Sequence, residues 1–305
     1  MKRFFICATA AIVALASCSK TEVINNEPQK EIGFKAITSV ATKAEQTTDN
    51  LGTMGVYAYL NEGKSAYFGN TQFAEGAEDL WVATPSKKYW PLVHTLDFVV
   101  YAPYDDAAEG TSFDSANKTL TVNTTNAGLT EITDQTDFLY GKEYYDNTDN
   151  KGYGKGNEYV PVDLKHAQAK IIVKFIGTGD VTLNEAKLTS VSLSGKYTVD
   201  YKKSIPVAVW SAQSIGVDVT MAPASGWNLT DDKTYTLLAV PSPVASKITF
   251  KYTLAGGAPL DHTIDLTTWK PGKEYTYVIT ITPKEIKFKP NVIEWEKETI
   301  TYPTL

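Results

Sequence analysis

Three histidines, His94, His166 and His262, are the side chains best suited to proton transfer near neutral pH. Asp97, Asp163 and Asp261 stand close to them in sequence, so each pair could be drawn as half of an acid–base couple. The histidines are scattered, however, and the chain has no H-E-x-x-H, no G-x-S-x-G and no glycine-rich phosphate loop. A structural or surface role fits each better than catalysis. The tract Asp146-Asn147-Thr148-Asp149-Asn150-Lys151-Gly152 is rich in oxygen ligands, like a calcium loop. Lys151 and Asn157 stand where such a loop needs glycine and glutamate, so it reads as a polar loop. Adjacent carboxylates such as Asp105-Asp106 and Asp231-Asp232 point to opposite faces of an extended chain and look like turn residues. Among the tryptophans, Trp90 and Trp295 have strand-like surroundings that suit a core, whereas Trp227, between Gly226 and Asn228, is expected at the surface. No catalytic residue, metal or cofactor is expected from this inventory.

Composition narrows the class further. The 305 residues are 43% hydrophobic and 11% aromatic, ample for a globular core. At roughly 100–200 residues per domain the length suggests two domains. Removing Lys2 and Arg3 from 29 basic side chains leaves 27 against 35 acidic ones, and Arg3 is the only arginine. Without arginine, and acidic overall, the remaining chain lacks the basic groove and guanidinium forks that nucleic-acid binding uses.

Lys2 and Arg3 belong to an export signal. They form a positive start, Phe4 to Leu15 is an uncharged apolar run, and Leu15-Ala16-Ser17-Cys18 closes it with small residues before a cysteine. The run is shorter than the roughly 20 residues a membrane-crossing helix needs. Leu-Ala-Ser-Cys resembles a bacterial lipobox, so residues 1–17 are expected to be removed and Cys18 to carry lipid. Cys7 leaves with the signal, and no further cysteine is left for a disulfide framework or thiolate metal site. Residues 18–30 are polar and aperiodic and read as a tether from lipid to fold.

Beyond the tether the pattern has period two. Val56–Tyr59, Leu96–Tyr101, Thr119–Val122, Ala169–Phe175, Lys187–Leu193, Thr234–Val240, Lys247–Leu254 and Glu274–Ile281 are short, β-branched and aromatic, and set off by Gly, Pro, Asn and Asp. Such spacing predicts an all-β sandwich architecture. Helical periodicity extends to a turn or two near Thr71–Leu80. The polar stretch Tyr145–Asn157 precedes a new block of strands, which divides the chain into residues 31–157 and 158–305.

An ordered set of segments then resembles a known family. After the lipobox and tether come Thr42-Lys43-Ala44, Gly55-Val56-Tyr57-Ala58-Tyr59, Tyr89-Trp90-Pro91, and Phe98-Val99-Val100-Tyr101-Ala102-Pro103-Tyr104. Asp137-Phe138-Leu139-Tyr140, His166-Ala167-Gln168-Ala169-Lys170 and Pro271-Gly272-Lys273-Glu274-Tyr275-Thr276-Tyr277 follow. Taken in order, these resemble the fimbrillin family, the lipoprotein pilins of type V pili. The resemblance implies two transthyretin-like β-sandwich domains and a structural, non-enzymatic role at the outer-membrane surface and in a fimbria. It also implies other pilin subunits as partners, and a trypsin-like surface protease that removes a first strand before polymerisation.

The residues give that mechanism a physical basis. Glu31 to Ile37 alternates, with apolar Ile32, Phe34 and Ala36 on one face, and Thr38 to Asn50 after it is polar and loop-like. One cut between Lys43 and Ala44 would excise the strand and leave a groove suited to strand addition. Lys43 stands where family members commonly have arginine, so a protease strict for arginine would not cut there. Glu285 to Leu305 holds enough apolar residues for two short strands, one of them free to be donated if it is surplus to the chain's own fold. The alternatives are a surface lipoprotein that binds glycan or another ligand through its β-sandwich loops, and a hydrolase, which the missing motifs disfavour.

Overall fold

Alternating side chains demand a sheet with one wet and one dry face, and the computed structural model is built from such sheets. It describes residues 29–37, 52–60, 65–77, 80–106, 111–124, 135–141, 153–154, 156–211 and 216–295. The first strands are β1 (Gly33–Ile37), β2 (Thr53–Leu60), β3 (Ser65–Glu75), β4 (Trp81–Ala83), β5 (Leu96–Ala102), β6 (Ser112–Asp114), β7 (Thr119–Thr124), β8 (Leu139–Gly141) and β9 (Val160–His166). They are followed by β10 (Ala169–Gly177), β11 (Val181–Val191), β12 (Gly195–Asp200), β13 (Ala208–Ser211), β14 (Val217–Thr220), β15 (Trp227–Asn228) and β16 (Lys233–Ala239). Last come β17 (Lys247–Leu254), β18 (Leu260–Asp265), β19 (Lys273–Ile281) and β20 (Ile286–Glu294). The described residues contain no α-helix, and the helical turn expected near Thr71–Leu80 is instead largely the end of β3. There Phe73 is pulled into the core and pairing to β2 and β4 overrides the weak local helical signal.

Seven strands close on themselves in the order β1-β4-β3-β2-β5-β8-β9. Phe34, Trp81, Trp90, Phe98, Val100 and Val160 are among the side chains that fill this barrel. Where β2 crosses β5, the Tyr101 ring lies on the space a side chain at Gly55 would occupy, so only glycine fits the Gly55-Val56-Tyr57 segment. A four-stranded sheet, β13-β12-β7-β6, covers the outside of the barrel through Tyr57, Val99, Tyr101, Val122, Tyr197 and Val199. Farther along, sheets β16-β10-β19-β20 and β14-β11-β17-β18 enclose a separate core that includes Ile171, Phe175, Leu188, Phe250, Tyr277 and Ile279.

Ladders cross the division at 157/158. β9 lies in the barrel between β1 and β8, and β12 pairs with β7 from Gly195↔Thr124 to Asp200↔Thr119. Period-two patterning fixes which face of a strand is dry, not which strand it joins, so pairings this distant in sequence are not contained in it.

Candidate assembly site

β1 is held on both flanks, and by different geometries. On one side it runs antiparallel to β4, with Gly33 opposite Val82 and Phe34 opposite Trp81. On the other it runs parallel to β9, from Phe34↔Val160 to Ile37↔Asp163. Just before the strand, the Ile32 N–H donates to Lys88 O (2.8 Å) and the Trp90 N–H donates to Lys30 O (2.9 Å). The Tyr89-Trp90-Pro91 segment therefore extends the slot.

The core-facing side chains anchor it. Ile32 and Phe34 are fully buried. The Phe34 ring meets Phe73 at 5.0 Å and Phe98 at 5.1 Å, both edge to face. Each such apolar side chain contributes about 1.5–3 kcal/mol by leaving water, and each edge-to-face pair about 0.5–1.5 kcal/mol more. The polar side is lighter. Lys35 places Nζ 4.8 Å from the Tyr159 ring centre, and Lys87 reaches Glu31 at 2.7 Å across exposed surface. The Glu31 carboxylate accepts that hydrogen bond and pushes the Lys87 ammonium pKa up, but a solvated pair holds the strand weakly.

Of the expected site residues, Ile32 and Phe34 line the barrel interior, and Ala36 is aligned by its backbone with Val162. Cys18, Lys43 and Ala44 lie outside the described residues, as does the Asp146–Gly152 tract. Among the described residues no cluster of His, Cys, Asp or Glu could hold a metal ion.

The histidines do not converge. His94 is exposed before β5. His262 lies against the Phe250 ring at 5.3 Å, while its neighbour Asp261 pairs with Lys251 at 3.5 Å. His166 is buried, and its carboxylate partner is Asp137, not the nearby Asp163: Nδ1 sits 3.0 Å from Oδ1 and 2.9 Å from Oδ2. The Trp295 ring stacks flat on it at 3.7 Å, which ties the end of β20 to the end of β9. Trp90 and Trp295 are buried as expected, but Trp227 is only half exposed and packs on Phe175 at 6.5 Å. Its place in β15, paired to Leu183, draws the indole over the second core. Asp137 lies 29 residues before His166, beyond the reach of local spacing, which points to Asp163 instead.

Comparison with known proteins follows the same outline. A family model described as fimbrillin-like matches residues 38–295. A candidate cell adhesion protein from Bacteroides uniformis has a similar fold, with a TM-score of 0.58 and 18% identity over 87% of this chain and 99% of its own. A fimbrial protein from Bacteroides vulgatus superposes with a TM-score of 0.53 at 18% identity, covering 87% of this chain and 99% of that one. The tip fimbrial protein Mfa3 of Porphyromonas gingivalis, truncated at its C-terminus, does so at 0.51 and 10% identity, over 87% of this chain and 100% of that one. Among curated proteins no sequence matches. At these identities the structural likeness is one of fold.

Proposed function

Because this chain belongs to the fimbrillin-like family, whose model spans residues 38–295, we propose that it is a structural subunit of an adhesive cell-surface fimbria, assembled by donor-strand exchange after β1 is cut away. The observation that carries the mechanism is the position of β1: it is a five-residue strand that completes the barrel between β4 and β9 with Ile32 and Phe34 fully buried. Its removal would unpair the facing edges of β4 and β9 and uncover Phe73, Phe98 and Val160. A strand from another subunit, with apolar residues at alternate positions, satisfies both losses.

While β1 stays covalently attached, its effective concentration is on the order of millimolar, and an incoming strand competes poorly. A cut between Lys43 and Ala44 lets β1 diffuse away and removes that advantage. Lys35 is a worse target, because it lies inside a strand paired on both sides. Incubating the uncut chain with a lysine-cleaving protease is expected to convert monomers into polymers visible by light scattering and electron microscopy. The Lys43→Ala chain is expected to stay monomeric under the same treatment. Clean release of β1 without assembly would sink this reading.

The proposed anchor is lipid on Cys18, which holds the subunit to the outer membrane before assembly. Cys18→Ser is expected to shift the protein from the membrane fraction to the soluble one. Continued sedimentation with membranes would overturn the lipid assignment.

A further inference from the structure

Two of the most exposed large apolar side chains sit side by side at one end of the barrel. Leu92 is 65% exposed and Val93 84%, at the tip of the short connection from Trp90 to β5. Both stems of that connection are fixed. Trp90 is buried and its N–H donates to Lys30 O at 2.9 Å, while the buried Leu96 donates its N–H to Tyr153 O at 2.9 Å. Next to the connection, Tyr67 leaves its side chain 38% exposed and ties its hydroxyl to Tyr89 O at 2.8 Å. An apolar ring with a polar tip suits a lipid–water boundary. The same contact marks where the N-terminal segment enters the fold. Lys30, held by Trp90, lies twelve residues on from Cys18, so lipid on Cys18 would sit within about 43 Å of it. Strand directions then place the opposite end. β1 starts on this side, after the Glu31↔Tyr89 bridge, and β5 starts here too, with Leu96 opposite Leu60 at the end of β2. The end of β1 at Ile37 and the start of β2 at Thr53 therefore lie at the other end of the barrel, about one strand length or roughly 20 Å away.

We propose that this end of the barrel rests on a lipid surface, with the Leu92 and Val93 side chains in the interface and the Ile37 and Thr53 end turned to the medium. The occupant is a bilayer rather than another protein because the anchor brings one to this end. To lie on the opposite end, the same twelve residues would first have to run the length of the barrel. Two apolar side chains alone hold a free protein at a bilayer only weakly, since such binding scales with the apolar area buried. Once the chain is attached, the contact acts at an effective concentration on the order of millimolar, and a weak contact is then enough to set orientation. This orientation rests on the proposed lipid at Cys18 and gives that anchor a consequence. The segment that holds Lys43 leaves β1 at Ile37 and enters β2 at Thr53, so it starts and ends on the side that a protease reaches from the medium.

The test supplies the attachment without the acyl chains. Residues 19–305 behind a hexahistidine tag keep the native connection to β1 and contain no cysteine, and the tag binds phosphatidylcholine vesicles that carry a nickel-chelating lipid. Val93→Cys and, in a separate chain, Asp106→Cys, at an exposed position past the far end of β5, each carry an environment-sensitive dye. The dye at 93 is expected to brighten and shift to the blue when vesicles bind, and to revert when imidazole releases the protein, whereas the dye at 106 keeps its emission in water. Adding Leu92→Asp to the Val93→Cys chain is expected to abolish the shift, with circular dichroism confirming an unchanged fold. A dye at 93 that stays as in water on the vesicles would overturn the proposal. So would a dye at 106 that responds as strongly, or a shift at 93 that survives Leu92→Asp. Because the tag replaces the acyl chains, none of these outcomes depends on Cys18, whose lipid is tested by the fractionation of Cys18→Ser.

Discussion

Phe34→Ala is expected to destabilise the uncut protein by about 3–5 kcal/mol, the range for truncating a buried aromatic side chain. The large value follows from the site: Phe34 is fully buried and meets Phe73 and Phe98 edge to face, and the walls around it are strands that cannot collapse inward without breaking their ladders. Urea unfolding should show the loss as a lower midpoint at unchanged slope. A second effect follows if β1 is the strand that exchange removes. Weakening the resident by about 3–5 kcal/mol lowers its advantage over an incoming strand by about 10²- to 4 × 10³-fold, so the uncut Phe34→Ala chain should assemble slowly without protease. Lys35→Ala is the control: its ammonium lies over the half-buried Tyr159 ring, a contact worth about 0.5–2 kcal/mol and less than the Phe34 side chain. A Phe34→Ala protein as stable as the parent would mean that the barrel core does not anchor β1.

How far these features are legible in the sequence depends on their range. Lys247–Leu254 coincides with β17, and Glu274–Ile281 and Thr234–Val240 fall within one residue of β19 and β16, because alternation and β-branched residues are local signals. Lys187–Leu193 begins six residues late. β11 starts at Val181, and the run of Asn184, Glu185 and Ala186 at its bulge interrupts the alternation. The end of β3 is misread as helical although its pairing with β2 is regular from Thr71 to Ala74, the two register shifts falling earlier in the strand, between Ala66 and Thr71.

Partners are another matter. Ile32 and Phe34 announce a buried face, but nothing local says that the strand carrying them will run parallel to β9, more than a hundred residues away. His166 likewise looks equally well matched to Asp163, three residues off along the same strand. The barrel settles the choice by bringing Asp137 to Nδ1 from the segment before β8. The exposure of these side chains is hidden in sequence because Leu260, His262, Phe288 and Val292 alternate as core residues do; they lie on β18 and β20, which are edge strands of their sheets, and are exposed there.

Raising the pH above 10 is expected to unfold the protein cooperatively, through the tyrosines that join the covering sheet to the barrel. Tyr197 donates its hydroxyl hydrogen to Leu139 O at 3.1 Å, Tyr201 to Gly141 O at 3.1 Å, and Tyr101 to Asn70 Oδ1 at 2.9 Å. Ionised, each would lose that donor and face an acceptor in a dry site. Burial accordingly pushes the Tyr197 and Tyr201 pKa values well up and that of Tyr101 up to about 12, the last against a hydrogen bond donated by the Asp105 N–H that favours the phenolate. In the unfolded chain tyrosines ionise near pH 10. Above that pH the unfolded chain holds fewer protons than the folded one, so rising pH favours unfolding, while the stability these groups contribute is fully present below pH 10. Each tyrosine adds about 1.4 kcal/mol per pH unit to the slope, and three add about 4, enough to exhaust a total stability of about 5–15 kcal/mol within a few pH units. Tyrosinate absorbance and circular dichroism should therefore change together in a steep alkaline transition. Replacing Tyr197 and Tyr201 by Phe should lower the slope by up to about 2.8 kcal/mol per pH unit, with the rest coming from the other tyrosines that burial raises, Tyr57 and Tyr101 foremost. Tyrosines that all titrate near pH 10 while the strand signal persists would show that the covering sheet is not sealed onto the barrel through these side chains.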